Sequence, residues 1–194
     1  MDPPLAGIRI VDLTRYLSGP YATMTLAELG ADVIKIERPG TGDETRDAKP
    51  MSGGVSHYFA SINRSKRSIE LDIQSETGKE HLSNLIADSD VLIENFRPGV
   101  MESLGFGADE VLKNHPALVY CSISGFGNSG PAKHRVAFDL IMQGESGVMS
   151  LNGDADRPPA KLGLPIADLS AGMFAVQGIL AALFRRTQIG RAHV

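Results

Sequence analysis

The segment Pro165-Ile-Ala-Asp-Leu-Ser-Ala-Gly172 stands just before the longest apolar run in the chain, MFAVQGILAALF at 173–184. Asp168 in this segment has two possible uses. As the cap of the helix that the apolar run implies, its carboxylate accepts a bond from a backbone N–H near Ser170 or Ala171, worth about 1 kcal/mol. As a nucleophile in the same place, it is kept ionised by the helix N-terminus. Neighbouring backbone amides would then hold the charge that grows on an attacked carbonyl, and Gly172, lacking a Cβ, would leave room for substrate. The two uses are compatible, and the residues alone leave both open.

Other groups that can bind anions collect where strands should end. Arg15 follows IRIVDL (8–13), Arg38 follows DVIKIE (32–37), and Asn95, Phe96 and Arg97 follow DVLIE (90–94). Ligands of parallel α/β sheets lie outside the carboxyl ends of the strands. Arg15, Arg38 and Arg97 are therefore expected to converge on one anionic ligand, with Phe96 offering a face on which a base can stack. The cations Arg64, Lys66 and Arg67 read as a solvated loop. GFGNSGP (125–131) reads as a turn, as a close backbone approach to a ligand, or as a moving lid.

Several chemistries are disfavoured. The first strand–helix turn, TRYLSGPYA, carries one glycine rather than G-x-G-x-x-G, so Glu37 at the end of the second strand is not expected to serve a nicotinamide dinucleotide. The five histidines show no metal-ligand spacing. Cys121 lies in an apolar strand pattern and reads as a buried, inert thiol. There is no G-x-S-x-G elbow and no P-loop.

The elements that must position these groups alternate. Strands are expected at 8–13, 32–37, 68–73, 90–94 and 118–124. Helices are expected over 21–30 with Pro20 in the first turn, after a Ser75 cap, over 109–115, from Phe138 to about Glu145, and after Asp168. Strand, helix, strand in about 30 residues is a βαβ unit, and its repetition implies a parallel sheet flanked by helices, a Rossmann-like α/β fold. The 194 residues suit one domain, and a net charge of −4 gives no global attraction for nucleic acid or an anionic membrane. The run 173–184 is shorter than a membrane span. One cysteine fits a reducing compartment, and no secretory signal pattern opens the sequence, so a cytoplasmic or organelle-matrix location is expected. The ending, with Ala192–Val194 entering a further strand, reads as the N-terminal part of a longer protein.

The chain resembles the class III CoA-transferases, the group containing formyl-CoA and crotonobetainyl-CoA transferases, over essentially its whole length. The matching pieces are GIRIVDLTR, GPYATMTLAELGADVIKIERPGTGDETR, NRSKRSIELDI, DVLIENFRPGVMESLGFG, NHPALVYCSISGFGNSGP, FDLIMQGESGVMSLNG and PIADLSAGMFAVQGILAAL, in family order and spacing. The resemblance implies that residues 1–194 form a CoA-binding Rossmann-like domain, with a second domain lying outside this sequence. It implies chains interlinked as rings in a homodimer. It also implies coenzyme A, bound as a substrate rather than a resident cofactor. Asp168 matches the family's catalytic aspartate. The CoA contacts would be Tyr16, Leu17, Ser18, Arg38, Leu71, Asp72, Asn95, Phe96 and Arg97.

The chain departs from the family pattern at Gln74 and Ser103, where some members carry lysine and arginine, leaving Arg97 or Lys66 as substitute phosphate contacts. The expected reaction is CoA transfer from an acyl-CoA to a carboxylate through an aspartyl-CoA thioester. The rival is the racemase branch, which resembles this chain but carries a histidine where Phe138 stands before Asp139. A fragment that binds CoA without turnover is the other alternative.

Overall fold

The computed structural model describes residues 2–153 and 156–189, so the strand expected at Ala192–Val194 lies outside the described residues. The chain opens with β1 (Arg9–Asp12), α1 (Ser18–Glu28) and β2 (Asp32–Glu37). A short hairpin of β3 (Met51–Ser52) and β4 (Val55–Ser56) leads into α2 (His57–Asn63). Then come β5 (Arg67–Glu70), α3 (Glu76–Ala87), β6 (Val91–Glu94), α4 (Val100–Leu104), α5 (Ala108–Asn114) and β7 (Val119–Ser122). Two helices follow, α6 (Asp139–Glu145) and α7 (Ile166–Ile189).

Five strands form one parallel sheet in the order β5-β2-β1-β6-β7. The chain leaves β1 toward one edge, through β2 and β5, and returns to its other side for β6 and β7. The winding therefore reverses between β1 and β6, the place where such sheets open a crevice at their carboxyl ends.

Side-chain alternation along the central strands splits the core in two. Ile10, Val33, Val91 and Ile93 face α1 and α7, joined by Ala22, Leu26, Val176, Ile179 and Leu183. Val11, Ile34, Ile36 and Leu92 face the other way, onto Leu82 and Ile86 of α3 and Val111 of α5. A strand buried on both faces needs apolar residues at successive positions, which is why IVDL and DVIKIE read as unbroken runs.

The structure revises several expectations. The strand expected over 68–73 ends at Glu70, because the Asp72 carboxylate accepts the Gln74 amide at 3.0 Å and turns the chain away from the sheet. Ser75 does cap α3, accepting the Gly78 amide at 3.0 Å. The solvated-loop reading fails at Lys66, whose side chain is buried with its Nζ on Asp12, Asn63 and the Pro20 carbonyl. Arg64 and Arg67 remain at the surface, paired with Glu28 and Asp32.

The apolar run 173–184 belongs to a helix of 24 residues, long and apolar enough to cross a membrane by length and composition. Here one face of that helix lies on α1 and the sheet, while Met173, Phe174 and Phe184 face outward. Gly172 does not face substrate. It is where α7 crosses α1, and a Cβ there would stand 2.6 Å from the Ser18 carbonyl oxygen and 2.9 Å from Tyr21 Cδ1. Replacing a helical glycine by alanine normally stabilises a helix by up to about 1 kcal/mol. For Gly172→Ala the clash should reverse that sign, with a net loss of about 1–3 kcal/mol on the scale of core overpacking. Urea denaturation of the two proteins checks this.

Candidate functional site

The crevice at the strand ends is a groove made of two adjoining cavities of about 350 and 490 Å³. Arg38, Leu71 and Asp72 line the first, and Tyr16, Leu17, Ser18, Asn95 and Asp168 the second. Arg15, Phe96 and Arg97 belong to both and form the wall between them. Every residue that the sequence nominated for CoA therefore lies on one groove, with Asp168 at one end of it.

The loop after β1 is shaped by a buried carboxylate. Asp12 accepts the Thr14 amide at 2.9 Å, the Thr14 hydroxyl at 2.5 Å, the Thr23 hydroxyl at 2.6 Å and Lys66 Nζ at 3.1 Å. Burial opposes its ionisation, but Lys66, Lys35 and the two hydroxyls overcome that and hold its pKa below the ordinary range. Lys66 is consumed here and cannot replace a missing phosphate contact. Thus fixed, the loop carries Tyr16 at φ +66°, a left-handed conformation costing a non-glycine residue about 1 kcal/mol. Tyr16 meets Phe138 edge to face at 6.5 Å over the Asp168 cavity.

The wall is equally well specified. Asn95 donates to the Arg15 carbonyl at 2.7 Å and accepts the Arg15 amide at 2.9 Å, tying the loops after β1 and β6 together. The Arg15 guanidinium lies 5.0 Å over the Phe96 ring and pairs with Glu44 at 2.9 Å. One face of Phe96 is thus already covered by a cation. Among the described residues Arg38 and Arg97 are in no ion pair and stay available to an anion. Glu37 is fully engaged, accepting from Arg46 at 2.6 Å through both oxygens, from Ser68 at 2.5 Å and from the Asp43 amide at 2.9 Å. Against burial, those bonds depress its pKa to about 2. It has no capacity left for a ribose.

Asp168 is not the helix cap. It is the third residue of α7, and the cap comes from another element. Asp139, the first residue of α6, accepts the amides of Ala167 at 2.9 Å and Asp168 at 3.3 Å. The amides expected to serve an oxyanion are already bonded to Asp139. The expectation that the helix start lowers the pKa of this carboxylate is also revised. Burial, then the charge of Asp139, raises the Asp168 pKa to about 6. Tyr58 of α2 feels the same site, its pKa raised by burial and then by Asp168.

Reading the sequence for function passed over Asp139, Tyr58, Lys133 and Arg135. The last two line the Asp168 cavity. Arg135 lies 4.4 Å over Phe126 and pairs with Glu145, whereas Lys133 has no ion-pair partner among the described residues. The spacing of Asp139 and Gln143, four apart in FDLIMQG, was a readable sign of a helical polar pair. Among the described residues no histidine lines the groove, and Phe138 is 59% exposed at its mouth. Among the described residues no group of acids, histidines and cysteine is arranged to hold a metal ion.

A doubly wound α/β domain whose strand-end groove carries unpaired cations and reaches a half-buried carboxylate has the features of a site for an elongated anion. The sequence comparisons narrow that class, and the chain belongs to CoA-transferase family III, whose family model matches residues 5–194. It is 44% identical over 97% of its length to succinyl-CoA:glutarate CoA-transferase of Mus musculus, covering 43% of that protein. It is 45% identical over 98% of its length to acetyl-CoA:oxalate CoA-transferase of Acetobacter aceti, covering 50% of it. Its fold superposes on a CAIB/BAIF family protein from Brucella suis with a TM-score of 0.93 and 41% identity, over 98% of this chain and 52% of that one. The chain thus spans about half the length of the relatives it matches.

Carboxyl ¹³C NMR should find Asp168 titrating near pH 6, above its ordinary 3.8. Since the folded pKa is raised, ionisation opposes folding, and stability falls as pH rises through that window. Asp168→Asn should flatten that slope in denaturation curves taken between pH 4 and 7.

Proposed function

We propose that this chain is the CoA-binding and nucleophile-bearing part of an acyl-CoA:carboxylate CoA-transferase. The observation that carries the reading is the pair of adjoining cavities, one lined by Arg38 and the other by Asp168, that share Arg15, Phe96 and Arg97. Arg38 and Arg97 receive phosphates, the open face of Phe96 packs on the nucleotide or its linker, and the thioester reaches Asp168.

The chemistry is covalent catalysis by a carboxylate. An Asp168 oxygen attacks the thioester carbonyl, and CoA leaves as thiolate, giving a mixed anhydride. The thiolate attacks the Asp168 Cγ, the donor carboxylate departs, and an aspartyl-CoA thioester remains. The acceptor carboxylate attacks that carbonyl and releases the thiolate again, with a new anhydride in its place. The thiolate then attacks the acceptor acyl carbon and frees the Asp168 carboxylate. Each step exchanges one activated acyl bond for another, so no external energy source is needed. Water must be excluded, because it would hydrolyse both intermediates. Tyr16 and Phe138 at the cavity mouth serve that end. The racemase reading lacks support, since Phe138 cannot accept a proton and no histidine among the described residues lines the groove.

A dicarboxylate acceptor is the reading that the same cavity and the relatives' names favour. Glutarate and oxalate, in the names of the two relatives, are dicarboxylates. Lys133 offers this end of the groove a cation free to meet a second carboxylate. Assembly as a homodimer and a cytoplasmic location belong to the same proposal.

Full-length protein incubated with an acyl-CoA and quenched should show a CoA adduct on the peptide containing Asp168, and Asp168→Ala should abolish it. Adduct formation elsewhere, or transfer retained by Asp168→Ala, would remove the assignment. Lys133→Met should raise KM for a dicarboxylate acceptor by about tenfold or more, the scale of one charged hydrogen bond, and leave KM for acyl-CoA unchanged. Steady-state kinetics with each substrate varied in turn reads both.

A further inference from the structure

We infer that Asp139, braced by Gln143, is the positioning residue of the Asp168 nucleophile. The inference rests on the transferase reading above and extends it to a residue outside the reacting pair. Helix α7 follows Pro165, whose side chain has no acceptor, so its first-turn amides must be satisfied from elsewhere. Asp139 Oδ1 takes two of them, those of Ala167 and of Asp168 itself. Asp139 Oδ2 accepts Gln143 Nε2 at 2.6 Å. Gln143 is 1% exposed, donates also to the Leu164 carbonyl at 3.2 Å, and accepts the Leu162 amide at 2.8 Å. Two side chains on one turn of α6 therefore hold the chain before Asp168 and the helical turn that carries it.

The arrangement has a chemical consequence as well as a geometric one. A carboxylate at a free helix start would draw on those amides and become a weakly basic, weakly nucleophilic anion. Asp139 takes the amides and presents a negative charge of its own. The Asp168 carboxylate stays poorly stabilised and hence more reactive toward a thioester carbonyl, by the same Brønsted relation that governs proton transfer. The charged and titratable groups around Asp168 are Asp139 of α6, Tyr58 of α2, and the cavity-lining cations Arg15, Arg97, Lys133 and Arg135. Arg15 and Arg135 are paired with Glu44 and Glu145, Arg97 and Lys133 line the cavity with no ion pair among the described residues, and the charge that acts on Asp168 is that of Asp139, whose carboxylate is bonded to the Asp168 amide itself.

The test uses full-length protein with Asp139→Asn and Asp139→Ala, beside Asp168→Ala. Asn keeps an acceptor for the two amides and removes the charge. Its Nδ2 meets Gln143 Nε2, donor against donor, so a thermal melt of each variant separates lost fold from lost positioning. For Asp139→Asn the acid limb of the kcat/KM–pH profile, which reports the free enzyme, should move below its wild-type position near pH 6. Its kcat on the plateau should fall about tenfold, with KM for acyl-CoA unchanged, in line with a less basic nucleophile. Asp139→Ala, which loses the cap too, should fall further in kcat. A purely structural role would lower the melting temperature without moving the pH limb. Superposable pH profiles and equal kcat for wild type and Asp139→Asn would overturn the inference, as would a loss confined to KM for acyl-CoA. Transfer retained by Asp168→Ala would overturn the transferase reading and this inference together. An inactive Asp168→Ala beside a normal Asp139→Asn would overturn only the inference.

Discussion

The groove depends on one buried charge, the Asp12 carboxylate. It ends β1 in the centre of the sheet and has 0% exposure, so it is stable there only because four donors, one of them the Lys66 ammonium, and the nearby ammonium of Lys35 surround it. The donors come from distant parts of the sequence. Thr14 belongs to the loop that follows, Thr23 to α1 and Lys66 to the segment before β5. In satisfying one carboxylate they fix where that loop runs, and with it Tyr16, Leu17 and Ser18. Lys35 extends the same network, reaching the Thr14 carbonyl at 2.7 Å and Asp43 at 2.9 Å. Substitution of any one partner would leave a buried charge uncompensated, so the ends of β1 and β2 and the loops they carry stand or fall together.

The fold was legible because its signals are local. β-Branched runs bounded by glycine, a serine before an amphipathic stretch, and a strand–helix–strand spacing of about 30 residues each report on neighbours in sequence. The cationic end of the groove was legible for a related reason. A residue that follows a parallel strand must lie at the carboxyl edge of the sheet, so Arg15, Arg38 and Arg97 could be placed together before any side chain was seen. Lys66 was misread because its burial depends on partners 54 and 46 positions away in the chain, Asp12 and the Pro20 carbonyl. The turn at Asp72 was missed for the opposite reason, since its side-chain bond to Gln74 competes with a strand pattern that continues past it.

Asp168 shows where local rules stop. Its place near a helix start was readable, and the ordinary consequences of that place were not the ones that hold. A helix start stabilises an anion through unsatisfied amides. Here the amides are satisfied by a residue 28 and 29 positions earlier, and what reaches Asp168 is burial and a like charge. The same sequence position can therefore carry a quiet capping carboxylate or a reactive one, and what decides is the element docked against it.

The contact at Gly172 has a consequence for how such a site can change over evolutionary time. The Ser18 carbonyl rests against the helical turn that begins at Asp168, so the loop after β1 and Asp168 share one rigid frame set by backbone contact. The segment from Gly125 to Phe138 is outside that frame and forms the opposite wall of the cavity. On the proposed function, drift there would alter which acyl partner is admitted and leave the loop after β1 and Asp168 in register. Partner choice and reaction geometry would then be inherited as separable traits, and a lineage could exchange one while keeping the other.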